Sequence, residues 1–87
     1  MKKNKVIAIL LAYNAEKTLE DFFQKLPKKF LDEILLFDDA SKDNTFHLAK
    51  TLDIKSYRNK VNLGYGGNLK KALMVALSKG ANVIVDI

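Results

Sequence analysis

Apolar residues in this chain follow two spacings in turn. Val6-Ile7-Ala8-Ile9-Leu10-Leu11-Ala12 is a continuous run of strand length, the pattern of a strand buried on both faces. Leu19, Phe22, Phe23 and Leu26 then recur at i, i+3, i+4 and i+7, which lines one face of a helix. Asn14 is placed to cap that helix, with Glu16 in its first turn, and Pro27 stops it. Ile34 to Phe37 reads as a second strand. Ser41 is placed to cap the next helix, Asp43 falls in its first turn, and Leu48, Ala49 and Leu52 give its inner face. Ile54 to Tyr57 is a short third strand. Leu69, Ala72, Leu73, Ala76 and Leu77 form a third helical stripe, closed by Gly80 at the position after the helix end. Val83-Ile84-Val85 is a fourth strand.

The order β-α-β-α-β-α-β predicts an α/β fold: a Rossmann-like three-layer parallel sheet with right-handed crossovers. No linker, repeat or low-complexity segment interrupts residues 1–87. No helix follows the fourth strand, so the chain reads as the front of a larger domain. Its exposed strand edge predicts self-association.

Composition narrows the class. At 87 residues, 48% hydrophobic and 29% charged, the chain is one small globular domain without a disordered signature. A domain this size buries roughly 60–65% of its unfolded surface, so its stability is marginal. Cysteine is absent, which removes disulfides and thiolate metal sites and fits a reducing, cytoplasmic setting. No apolar run approaches the ~20 residues of a membrane span. The basic start followed by Val6 to Ala12 has the order of a signal peptide, but no small-residue cleavage site follows; it reads as a first strand.

The net charge is +5, from scattered groups: Lys2, Lys3 and Lys5; Lys28 and Lys29; Lys55, Arg58 and Lys60; Lys70 and Lys71. Solvated faces are the plain reading of such a pattern. Attraction to a nucleotide phosphate or an anionic membrane surface is the sharper one. Nucleic acid is not expected as a partner, because no aromatic stacking platform is interleaved with the charges.

Candidate chemistry falls at the carboxyl ends of the strands, where open α/β sheets bind ligands. Tyr13 and Asn14 follow the first strand, Asp38 and Asp39 the second, and Asp86 the fourth. Tyr13 is suited to stack on a base, Asn14 to cap a helix. Asp39 is suited to accept hydrogen bonds from a base or ribose, and Asp38 to hold the loop. Asn62-Leu63-Gly64-Tyr65-Gly66-Gly67-Asn68 is a glycine-rich loop opening a helix, a place where free N–H groups suit phosphate. It matches neither G-x-G-x-x-G nor a Walker loop, and its glycines also suit close packing. His47 stands alone, and no Ser-His-Asp set can be assembled.

Together these stretches resemble a known family. Ala12-Tyr13-Asn14-Ala15-Glu16-Lys17-Thr18-Leu19, then Asp38-Asp39-Ala40-Ser41-Lys42-Asp43-Asn44-Thr45, then Asn62-Leu63-Gly64-Tyr65-Gly66-Gly67, then a helix and an apolar strand ending in Asp86, are similar to family 2 glycosyltransferases. The N-x-G-x-G-G loop resembles the polyprenyl-phosphate, dolichol-phosphate mannose synthase-like branch. The resemblance implies the N-terminal half of a GT-A fold, a UDP- or GDP-linked nucleotide-sugar donor, and Mg²⁺ or Mn²⁺ as cofactor. It implies that Leu11 and Tyr13 line the base pocket, that Phe37 contributes backbone contacts, and that Asp39 binds the base or ribose. Asp86 is the candidate metal ligand. A polyprenyl phosphate or a glycan is the implied acceptor, with peripheral contact at the inner face of the membrane.

The departures from the family pattern are specific. Leu11 replaces a common proline, Ala15 a common glutamate, and Ala40 a common glycine. The second metal carboxylate, the general base and the acceptor-binding segment are expected beyond Ile87, so no catalytic residue is assigned and this stretch alone is expected to be inactive. A non-enzymatic flavodoxin- or receiver-like signalling module is the competing reading. A receiver places its paired acids after the first strand, where this chain has Tyr13-Asn14.

Overall fold

The computed structural model describes residues 4–87; the basic positions Lys2 and Lys3 lie outside the described residues. Four strands, β1 (Val6–Ala12), β2 (Glu33–Asp38), β3 (Lys55–Arg58) and β4 (Val83–Asp86), form one sheet in the order β3-β2-β1-β4. Every pairing is parallel. Three helices connect them: α1 (Leu19–Gln24), α2 (Thr45–Thr51) and α3 (Gly64–Ser78), with a short 3₁₀ turn over Lys28–Phe30. The expected α/β Rossmann-like architecture is the one observed. A flavodoxin-like sheet runs 2-1-3-4-5; here β3 lies outside β2, which removes the receiver-like reading.

Strand alternation divides the core between the two faces. Ile7 and Ile9 of β1, with Leu35 and Phe37 of β2, pack under Ala72 and Ala76 of α3. Leu10, Ala12 and Leu36 point the other way, against Leu19 of α1 and Ala49 of α2. The uninterrupted apolar runs of β1 and β2 follow from this, since a strand covered on both faces has no polar side.

Element starts differ from expectation. Asn14 does not cap α1: its φ is +50°, and the helix begins only at Leu19. Ser41 does not cap α2, which begins at Thr45; Asp43, just ahead of it, accepts the Thr45 N–H at 3.0 Å. Asn14, Glu16 and Ser41 found partners across the gap between the loops instead of on their own helices, and Asp43 serves both, with one oxygen on Thr45 and the other on the Glu16 N–H. α3 begins at Gly64, so the glycines form its first turn rather than a loop before it.

The inner stripe of α3 also shifts. Leu77 is 62% exposed and Leu73 sits at the margin, while Asn68, Ala72 and Ala76 are buried. Residues at i, i+4 and i+8 with small or hydrogen-bonded side chains let the helix settle close to the sheet. Gly80 ends α3 as expected, with φ +87°; its N–H reaches the Leu77 carbonyl and the Ala81 N–H the Ala76 carbonyl, the paired bonds of a glycine-terminated helix.

Candidate nucleotide site

Because all strands are parallel, the ends of β1, β2 and β4 lie along one rim. A cleft of about 380 Å³ opens there, within the size range of small-molecule sites. Leu11, Tyr13 and Asp39 line it together, with Asn62, Tyr65 and Asn68 on the α3 side. Three of the residues assigned from the sequence are thus brought to one cavity. Phe37 is not on its wall: the side chain is fully buried, stacked on Tyr57 at 4.9 Å between ring centroids, and its carbonyl accepts from Asn68 Nδ2 at 3.0 Å.

The paired acids separate because successive residues at a strand end face opposite ways. Asp38 turns to the α1/α2 side. It accepts the Ser41 hydroxyl, and its Oδ2, without a hydrogen bond, faces Arg58 Nε at 3.5 Å. Asp39 turns to the α3 side. Its Oδ1 accepts the Leu63 N–H at 2.7 Å and Asn59 Nδ2 at 2.9 Å. Its Oδ2 makes no hydrogen bond to the described residues, so one carboxylate oxygen is saturated and the other is left to the cleft.

The loop carrying Tyr13 is fastened to the loop after β2 by bonds between loops. Asn14 N–H donates to Ser41 Oγ at 2.8 Å, and Asn14 Oδ1 accepts the Lys42 N–H at 2.8 Å. Ala15 N–H donates to Thr45 Oγ1 at 2.8 Å. Glu16 N–H donates to Asp43 Oδ2 at 3.2 Å, while Glu16 Oε1 accepts the Asn44 N–H at 3.2 Å. The Thr45 hydroxyl, above all, holds the Asp43 carboxyl below its ordinary value. Glu16 therefore serves loop closure, and Tyr13, 49% exposed, is presented on a fixed backbone.

The opening of α3 is partly spent on the protein itself. Leu63 N–H goes to Asp39 and Gly64 N–H to Asn62 Oδ1 at 3.0 Å. Asn62 Nδ2 donates to the Asp39 carbonyl at 3.1 Å. Lys71 donates to Asn59 Oδ1 at 2.6 Å, whereas Lys70 is exposed. Asn59 and Asn68 were not assigned site roles from the sequence, and Lys71, read as solvated or directed at a phosphate, instead bonds Asn59. Asn68 carried a usable signal: an amide on the buried stripe of a helix requires a partner.

Asp86 ends β4, exposed, and its Oδ2 accepts the Tyr65 hydroxyl at 3.2 Å. That bond, and then the Asp86 charge, raise the Tyr65 hydroxyl above its ordinary 10.0. Among the described residues no three His, Cys, Asp or Glu side chains come together to hold a metal. Mg²⁺ prefers six oxygens in near-octahedral order, and the second metal carboxylate implied beside Asp86 was expected beyond Ile87.

A family model described as Glycosyl transferase family 2 matches residues 7–86. The chain belongs to glycosyltransferase family 2. It is similar to an uncharacterized protein of Methanocaldococcus jannaschii, 28% identical over 98% of this chain and 35% of that protein. It is also similar to the UDP-N-acetylglucosamine–dolichyl-phosphate N-acetylglucosaminyltransferase of Methanococcus voltae, 34% identical over 92% of this chain and 39% of that protein. This glycosyltransferase chain thus spans little more than a third of these curated relatives. Among solved structures it resembles S. aureus TarS 1–349, at TM-score 0.65 and 27% identity, over 94% of this chain and 27% of that one. The fold is accordingly the Rossmann-like part of a GT-A glycosyltransferase.

Proposed function

We propose that residues 4–87 bind the nucleoside end of a nucleotide-sugar donor, UDP- or GDP-linked. The carrying observation is the cleft that gathers Leu11, Tyr13 and Asp39 and leaves Asp39 Oδ2 without a donor among the described residues. Leu11 and Tyr13 supply an apolar and aromatic wall for the base. Asp39 accepts from base N–H or ribose hydroxyl groups. Phe37, with its side chain in the core and its carbonyl bonded to Asn68, supports Asp39 from two residues earlier in the chain, on β2.

The activity proposed for the whole protein is transfer of the sugar to a polyprenyl phosphate or a glycan hydroxyl. The name of the Methanococcus voltae relative supports a lipid-phosphate acceptor. Such an acceptor would bring the protein to the inner face of a membrane; among the described residues no helix is long and apolar enough to cross one. Asp86 is proposed as one ligand of Mg²⁺ or Mn²⁺, with the remaining ligands from outside residues 4–87. Glycosyl transfer also needs a general base, which is assigned to none of these residues; residues 4–87 alone are therefore proposed to bind donor without turning it over.

Calorimetric titration with UDP and with GDP, with and without Mn²⁺, tests the reading. One nucleotide is expected to bind, and Asp39→Ala to weaken it by about tenfold or more, the loss of a hydrogen bond to a charged group. Absence of binding by either nucleotide overturns the assignment.

A further inference from the structure

The buried amides beside Asp39 form a chain of fixed polarity. The Phe37 carbonyl can only accept, so Asn68 must present its NH₂ there, at 3.0 Å. Asn68 Oδ1 then faces Asn59, which must present its own NH₂, at 3.0 Å. The second N–H of that group reaches Asp39 Oδ1 at 2.9 Å. Asn59 Oδ1 is left facing Lys71 Nζ at 2.6 Å, and an ammonium can only donate. An acceptor-only group closes the chain at one end and a donor-only group at the other. Both ends require the same amide orientations.

Resting on the donor-site reading above, we propose that Asn59, anchored by Lys71, is a positioning residue for Asp39. Asn59 and the Leu63 N–H together saturate Oδ1 and fix the rotation of the carboxylate. The oxygen that remains, Oδ2, is thereby held toward the cleft as the acceptor for the ligand. Asn59 is 6% exposed and does not line the cleft, so it acts on the ligand only through Asp39. Lys71 satisfies the Asn59 carbonyl and polarises the amide, which strengthens the N–H bond to Asp39. The Lys71 ammonium is thus occupied within the fold, whereas its neighbour Lys70 is exposed.

Two variants separate this role from plain packing. Asn59→Asp keeps the shape and replaces a donor by a carboxylate facing Asp39. UDP or GDP binding should fall by about tenfold or more near neutral pH, because like charges now oppose each other. Binding should recover as the pH is lowered and a proton enters the pair. A packing defect would not produce that pH profile. Lys71→Met should weaken binding by about threefold to tenfold, and Lys71→Arg, which keeps a donor, should restore most of it.

The relay also has a readout that needs no nucleotide. In the NMR spectrum of the 87-residue chain, the Asn59 side-chain amide should exchange slowly with solvent, and Lys71→Met should speed that exchange by about tenfold. An Asn59 amide exchanging like an exposed asparagine overturns the proposal, as does an Asn59→Asp chain binding nucleotide like wild type at all pH values. A protected Asn59 amide in a chain that binds neither nucleotide supports the relay and overturns the donor-site reading instead.

Discussion

Ala40, where the resemblance to family 2 glycosyltransferases leads to an expectation of glycine, has a φ of +61°. A residue with a Cβ in the left-handed region costs about 1–2 kcal/mol. Ala40→Gly removes that strain. It also frees the unfolded chain, which costs about 0.4–1 kcal/mol. The difference favours the variant by roughly 0.5–1 kcal/mol, or about 2–8 °C in Tm for a domain of this size. Against a total of about 4–13 kcal/mol for a chain of this length, that is a measurable gain. Gly80 supplies the opposite control. Its φ is +87°, and a Cβ built there meets no atom within 4 Å, so Gly80→Ala isolates backbone strain from crowding. Urea unfolding followed by circular dichroism should show the Ala40→Gly midpoint rising and the Gly80→Ala midpoint falling, with unchanged slopes. A falling midpoint in Ala40→Gly, beside a falling one in Gly80→Ala, would refute the claim that Ala40 is held against its preference.

Thr45→Val keeps the shape but leaves the Ala15 N–H without its acceptor, and should cost about 1–3 kcal/mol in urea unfolding, more than Thr45→Ser. The lowered Asp43 carboxyl stabilises the fold above pH 3.8 and loses that contribution as pH falls through its folded value; Thr45→Val should flatten this acid limb. Tyr65, raised above 10.0, favours the fold below that value and loses the contribution as pH rises through its folded midpoint; near-ultraviolet titration against Tyr65→Phe should place the midpoint above 10.0, and Asp86→Asn should bring it back. Val83 and Val85 on the β4 edge strand are 42% and 36% exposed, so sedimentation should show concentration-dependent association that Val85→Lys abolishes; a clean monomer at high concentration refutes it.

The strands and their order of appearance were legible because apolar periodicity is a local property of the chain. The continuous run from Val6 to Ala12 announced a strand covered on both faces, and the two-sided core bears that out. Helix starts were not legible, and Asn14, Ser41 and Asp43 show why. Each is a good cap by residue type, yet Asn14 and Ser41 bond to one another across 27 positions and Asp43 reaches Glu16 at the same separation. Residue type ranks local partners; it carries no information on a second loop folded alongside.

The same limit governs the cleft. Asp39 was readable as a strand-end acid, but what suits it to the proposed role of ligand acceptor is which oxygen stays free. That choice is made by Asn59 and Leu63, 20 and 24 positions later, and by Asn68, whose amide is tied to Phe37 across 31 positions. Asn68 sits on α3, four residues before Ala72, where an apolar side chain would pack without any partner. Its amide there costs free energy unless every polar atom is answered, and all of the described answers lie on the path to Asp39. A buried polar residue on an otherwise small and apolar stripe is thus the local trace of a nonlocal network. In this chain that trace leads from the third helix to the carboxylate proposed to face the donor.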